Sequence, residues 1–132
     1  MSDDRRLRIL VVDDEPDIRK LLEVQLMVLG HFEVVGGAGE GAEALELVRA
    51  TQPDAVVMDL LMPGVNGFQA IDVLQRESPG MGIVAYSGVA GDFVRNEMAR
   101  RGIEVVLKSG DVEPLAAALR RSVAANGDDS PG

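Results

Sequence analysis

Asp13, Asp14, Asp59, Ser87 and Lys108 share one feature of placement: each stands where a short apolar run of the chain stops. Asp13-Asp14-Glu15 follows Leu7 to Val12, Asp59 closes the run from Ala55, Ser87 follows Met81 to Tyr86, and Lys108 follows Ile103 to Leu107. If the first and third of these ends are neighbours, the aspartates meet in one acidic pocket, and their mutual repulsion is large unless a cation sits among them. Mg²⁺ suits such a place: it takes oxygen ligands, keeps several waters and needs only one or two carboxylates from the protein. A carboxylate there can act as a nucleophile toward a phosphoryl donor, giving an aspartyl phosphate. The transferred group carries charge on three oxygens, and the metal, the Lys108 ammonium and the Ser87 hydroxyl would take one each. Singly, such residues have ordinary uses, since acids cap helices, serine satisfies turns and lysine stays solvated. Four ends with complementary groups ask for one joint explanation.

The elements that must position them follow from hydrophobic period. Leu7 to Val12 is a compact apolar run, and Pro16 then opens a segment with Ile18, Leu21, Leu22, Leu26 and Leu29 at helical spacing, closed by Gly30. The same strand-helix pair recurs as Phe32 to Val35 with Glu40 to Ala50, Ala55 to Asp59 with Gly67 to Glu77, Met81 to Tyr86 with Asp92 to Arg101, and Ile103 to Leu107 with Val112 to Ala125. Strands alternating with helices of this length need crossover connections, which predicts an α/β fold: one doubly wound parallel sheet of five strands with five helices on its two faces. In such sheets ligands bind outside the carboxyl ends of the strands, where the strand order reverses. The polar residues above lie at those ends.

Composition bounds the reading. The 132 residues are one domain's length, and 46% hydrophobic content is enough for a core. Only 3% are aromatic, so that core is aliphatic, as a sheet buried on both faces requires. A net charge of −9 argues against direct nucleic-acid binding. There is no cysteine and one histidine, which excludes disulfides, thiolate metal sites and a His-rich zinc centre and is compatible with a reducing cytoplasm. The first apolar run is too short for a signal peptide or a membrane span. Residues 1–125 are expected to form the domain, and 126–132, with no apolar face, a disordered tail or truncated linker.

Val11-Val12-Asp13-Asp14-Glu15, the stretch from Val57 to Gly67 around Asp59, Ala85-Tyr86-Ser87-Gly88 and Val106-Leu107-Lys108 together resemble the receiver domains of bacterial two-component response regulators, over about residues 7 to 124. The resemblance implies a flavodoxin-like sheet in the order 2-1-3-4-5. It implies Asp59 as phosphoacceptor, Asp14 as a direct Mg²⁺ ligand, Asp13 acting mainly through water, and the Leu61 carbonyl completing the protein's share with Asp59. Ser87 and Lys108 would bind phosphoryl oxygens, and Met62 to Gly67 would form the turn after the phosphorylated strand. A sensor histidine kinase or phosphotransfer protein would supply the phosphoryl group in the cytoplasm. An output domain or a separate effector would read the result, self-association through the fourth and fifth units being common in the family. No turnover of a separate small molecule is implied. A receiver-like adaptor that never uses the phosphate is the alternative.

The chain departs from the family pattern in three places. Many receivers carry an aromatic three residues before the lysine, which swings inward on phosphorylation; here it is Val105, which has no comparable rotamer pair, and Tyr86 beside Ser87 is the substitute candidate. Ser109-Gly110 replaces the usual proline after the lysine, so a cis-proline turn is not assumed. Leu61 and Val89 stand two residues past the acceptor and the hydroxyl, and neither can orient a hydrolytic water, which predicts slow self-dephosphorylation.

Two rival readings are weaker. Gly37-Ala38-Gly39-Glu40-Gly41-Ala42 matches the dinucleotide pattern G-x-G-x-x-A, but that reading leaves Asp13, Asp14, Ser87 and Lys108 without a role. Haloacid dehalogenase-like phosphatases place an Asp-x-Asp pair after their first strand, whereas this chain has adjacent acids there and its nucleophile candidate after the third. His31 reads as a turn residue, Arg120 and Arg121 as complements to a helix dipole, and Met27, Met58, Met62, Met81 and Met98 as packing.

Overall fold

A computed structural model describes residues 6–62, 67–88 and 91–127; Pro63 to Asn66 of the expected turn, Val89, and tail residues 128–132 lie outside them. Strands β1 (Leu7–Val12), β2 (Phe32–Ala38), β3 (Ala55–Asp59), β4 (Gly82–Ser87) and β5 (Glu104–Leu107) alternate with helices α1 (Pro16–Leu29), α2 (Gly41–Thr51), α3 (Gly67–Glu77), α4 (Asp92–Arg100) and α5 (Glu113–Gly127). All pairings are parallel, in the order β2-β1-β3-β4-β5. The expected fold class and strand order are the ones observed.

Alternation along each strand divides the core in two. Leu10, Val12, Val56, Met58, Ile83 and Ala85 pack on one face with Val48 of α2, Ile71 and Leu74 of α3 and Met98 of α4. Ile9, Val11, Val57, Val84, Tyr86 and Val106 pack on the other with Leu22 and Leu26 of α1 and Leu115 and Leu119 of α5. The outer side of α1 leaves Leu21, Val24, Met27 and Val28 exposed. Met27 therefore departs from the expected packing role, while Met58, Met62 and Met98 are buried.

Element ends differ from the sequence reading in instructive ways. Strand β2 runs on through Gly36, Gly37 and Ala38, which pair with Leu10, Val11 and Val12 after a register shift. Glycine weakens a strand locally, so its inclusion is imposed by tertiary pairing. A Cβ on Gly36 would sit 3.2 Å from Leu10 Cδ1, and one on Gly37 would sit 3.0 Å from both Arg19 Cδ and Glu23 Oε2. The glycine run that resembled a dinucleotide loop admits neighbouring side chains instead. Helix α5 extends to Gly127, two residues beyond the domain end read from the sequence, a difference ordinary for helix termini. His31 is an exposed turn residue at φ 71°, whose carbonyl accepts from Leu7 N at 2.9 Å.

Gly67 opens α3 directly against the strand that carries Asp59. A Cβ there would stand 2.5 Å from the Asp59 carbonyl oxygen and 2.6 Å from Leu60 Cα, both backbone atoms that cannot swing aside. Gly67→Ala is expected to destabilise the domain by about 2 kcal/mol, overpacking outweighing the gain of about 1 kcal/mol in helix propensity. Urea unfolding checks this, an unchanged midpoint being the contrary result.

Candidate functional site

Because the strands are parallel, their carboxyl ends share one edge of the sheet, and register decides who meets there. Val12 pairs with Met58, so Asp13 and Asp59 leave adjacent strands side by side. Asp59 pairs with Tyr86 and Ser87 with Leu107, which brings the third, fourth and fifth strand ends to the same edge. One carboxylate oxygen from each of Asp13, Asp14 and Asp59 lies within 4.8 Å of the others. Asp13 and Asp59 are 1% and 3% exposed, and Asp14 is the member open to solvent.

Lys108 closes the cluster. Its Nζ stands 2.9 Å from Asp13 Oδ2 and 3.2 Å from Asp59 Oδ2. Its backbone N–H donates to the Ser87 carbonyl at 2.9 Å, tying the ends of β5 and β4 together. Ser87 is itself buried at that junction. The Leu61 N–H donates to Asp59 Oδ1 at 3.2 Å and the Glu15 N–H to Asp13 Oδ1 at 2.9 Å, each shaping the turn beyond its acid. The Leu61 side chain is exposed.

Burial, the largest influence, raises the Asp59 pKa above the ordinary value; the Leu61 N–H and Lys108 oppose the rise, and Asp13 adds to it. Burial works to lower the Lys108 pKa, but Asp13 and Asp59 outweigh it and the net direction is up. Asp13 Oδ2 is buried and, although 2.9 Å from the ammonium, is aligned with no hydrogen-bond donor among the described residues. One ammonium shared between two buried carboxylates leaves negative charge that a further cation or water would offset. With Asp14 also within reach, the donor set fits a hard divalent ion such as Mg²⁺.

The two switch candidates lie on opposite faces of the sheet. Val105 pairs with Ala85 and packs on the core beneath α2, α3 and α4, whereas Tyr86 is buried on the α1 and α5 side, with Lys108 Nζ 5.8 Å from its ring centroid. No cis peptide occurs among the described residues, the Lys108-Ser109 link included, and Gly110 takes φ 87° in the loop beyond.

Arg19 escaped the sequence reading, and Gly67 was read there as a turn residue and helix start, without its close approach to the Asp59 carbonyl. Arg19 Nη1 donates to the Asp13 carbonyl at 2.7 Å, bracing the acidic turn from α1, and the bare edge at Gly37 gives that side chain room. Asking which donor the carbonyl at the turn would find points to a long side chain one helical turn on.

A family model described as the response regulator receiver domain matches residues 9–120. The chain belongs to that family, the receivers of two-component signalling systems. It is 43% identical over 90 residues to a protein-glutamate methylesterase/protein-glutamine glutaminase of Myxococcus xanthus, covering 68% of this chain and 25% of the relative. It is 31% identical over 125 residues to the nitrate/nitrite response regulator NarL of Escherichia coli K12, covering 94% and 58%. It thus spans only part of these relatives. Among solved structures, the response regulator domain of Thermotoga maritima CheB superposes with a TM-score of 0.81 at 28% identity, covering 90% of this chain and 97% of that one. The receiver domain of a NarL from Mycobacterium tuberculosis gives 0.79 at 25%, covering 93% and 98%. No helix among the described residues is long and apolar enough to cross a membrane.

The electrostatics give a metal-free prediction. A carboxyl whose pKa is raised on folding costs stability once ionised, so Asp59→Asn is expected to raise the unfolding midpoint in EDTA at neutral pH. That gain should fade as pH falls through the raised Asp59 pKa, where the wild-type group becomes neutral. Lys108→Met removes the compensating cation from two buried acids and is expected to cost about 2–3 kcal/mol at pH 7, discounted because the Lys108 side chain is 21% exposed. Thermal melts of the three proteins across pH check both directions.

Proposed function

We propose that this receiver is a phosphorylation switch whose acceptor is Asp59. The single observation that carries the reading is the meeting of Asp59 Oδ2 with the Lys108 ammonium at 3.2 Å inside a trio of acids, at the edge where parallel strands end. An Asp59 carboxylate oxygen attacks the phosphorus of a phosphohistidine or of acetyl phosphate; the new O–P bond forms as the donor's N–P or O–P bond breaks, and the leaving group departs with its electron pair. Lys108 and the Ser87 hydroxyl hold phosphoryl oxygens, and the Leu61 N–H keeps the carboxylate oriented. Mg²⁺, held by Asp13, Asp14, Asp59 and the Leu61 carbonyl, would supply charge neutralisation when bound. The mutual contacts of acids and lysine support this reading over the phosphorylation-independent adaptor.

The methylesterase and glutaminase activities in the name of the Myxococcus relative belong to a protein of which this chain matches 25%, so we assign no separate small-molecule turnover to the receiver. Its upstream partner is a sensor histidine kinase or phosphotransfer protein in the cytoplasm, and its reader an output domain, a separate effector or a second copy. Docking of the phosphodonor protein is assigned to the exposed row Leu21, Val24 and Val28, at i, i+3 and i+7 on the helix that springs from the acidic turn. Leu21→Glu with Val28→Glu is expected to slow phosphorylation by a kinase at least tenfold while leaving the acetyl phosphate rate within twofold; equal losses with both donors would refute the assignment.

Intact mass after acetyl phosphate and Mg²⁺ tests the switch. One added phosphoryl group is expected, absent in Asp59→Asn and in EDTA; no addition from either acetyl phosphate or a phosphorylated kinase would sink the reading. Followed over time, the adduct is expected to persist for minutes rather than seconds, because the exposed Leu61 side chain offers a hydrolytic water nothing to bond to.

A further inference from the structure

Lys108 must reach two buried acids from the very end of a four-residue strand, and the backbone beyond it is lightly held. Ser109 and Gly110 follow, Gly110 at φ 87°, and the loop's tie to α1 is an exposed bond of 3.2 Å from Gln25 Nε2 to the Gly110 carbonyl. A lysine on four methylenes spreads over many rotamers unless something else directs it. Tyr86 lies where such direction would come from. It is the residue paired with Asp59 in the sheet, it is 4% exposed, and the Lys108 ammonium stands 5.8 Å from its ring centroid, within cation-π range.

Resting on the phosphorylation reading above, we propose that Tyr86 is a positioning residue whose ring face holds the Lys108 ammonium over Asp13 and Asp59. The negative face of the ring attracts the cation without competing for its three protons, so all three stay available to carboxylate or phosphoryl oxygens. A second carboxylate in that place would bind the ammonium too, but would also add repulsion to the acid trio. An aliphatic residue would fill the space without attracting the charge. The hydroxyl is not the functional part, which separates this role from ordinary tyrosine hydrogen bonding.

The chain has two lysines, Lys20 and Lys108, and the Lys20 side chain is 77% exposed. Lysine labelled at Cε therefore gives two NMR signals, one of them an internal solvent reference. In metal-free protein the Lys108 signal should be displaced from that of Lys20 by the ring, keep that displacement in Tyr86→Phe and lose a large part of it in Tyr86→Leu. With acetyl phosphate and Mg²⁺, the Phe variant should retain the wild-type rate, while the Leu variant slows roughly three- to thirtyfold. Tyr86→Leu also removes core volume, so an unfolding cycle with Lys108→Met separates packing from positioning: the two substitutions should be non-additive. An unmoved Lys108 signal in Tyr86→Leu, or strict additivity, overturns the proposal. Absence of phosphorylation in the wild type would instead overturn the reading of Asp59, and the metal-free spectra and the cycle would still decide the role of Tyr86.

Discussion

Everything at the working edge of this domain depends on keeping two buried carboxylates beside each other. Asp13 and Asp59 leave adjacent strands, are almost wholly shielded from water and share one ammonium. Repulsion between such charges grows as water is excluded, so the arrangement depends on the Lys108 ammonium being delivered to both acids. The surrounding bonds serve that delivery. The Ser87 carbonyl anchors the Lys108 backbone, Arg19 braces the Asp13 carbonyl, and Gly67 lets α3 close on the strand that ends in Asp59.

The parallel sheet makes this possible at little cost elsewhere. All strand ends of one polarity lie on one edge, so polar residues from four strands converge there; Asp13, Asp59 and Ser87, the buried polar or charged residues among those described, all belong to this edge. Those layers are built from branched aliphatics and need no aromatic mass, in keeping with the low aromatic content of the chain. The charged cluster is thus a local instability resting on a conventional core, which is the usual relation of a site to its scaffold.

The fold was legible because five apolar runs alternate with five amphipathic segments, and the candidate site because four of those runs stop on a polar residue. The extension of β2 was not legible: Gly36 and Gly37 have poor strand propensity, and only pairing with Leu10 and Val11 recruits them. Arg19 was hidden for a related reason, since its partner is a backbone carbonyl that no side-chain pattern announces. The opposite faces of Tyr86 and Val105 could have been read from alternation, because Ala85 pairs with Val105 and Tyr86 is its neighbour on the other side. Spatial proximity to Lys108 could not, as it depends on where a flexible side chain settles.

One ammonium against three carboxylates leaves the pocket with excess negative charge, and a phosphoryl group on Asp59 would increase it, since such a group carries close to two negative charges at neutral pH. Lys108 serves both states but cannot neutralise either alone. A divalent cation at the acids would therefore gain more from a phosphorylated pocket than from the free one, and by linkage whatever favoured the cation would also favour the phosphoryl adduct. On the proposed reading, phosphorylation and metal occupancy would be one coupled equilibrium, with the lysine as the positive charge that both share.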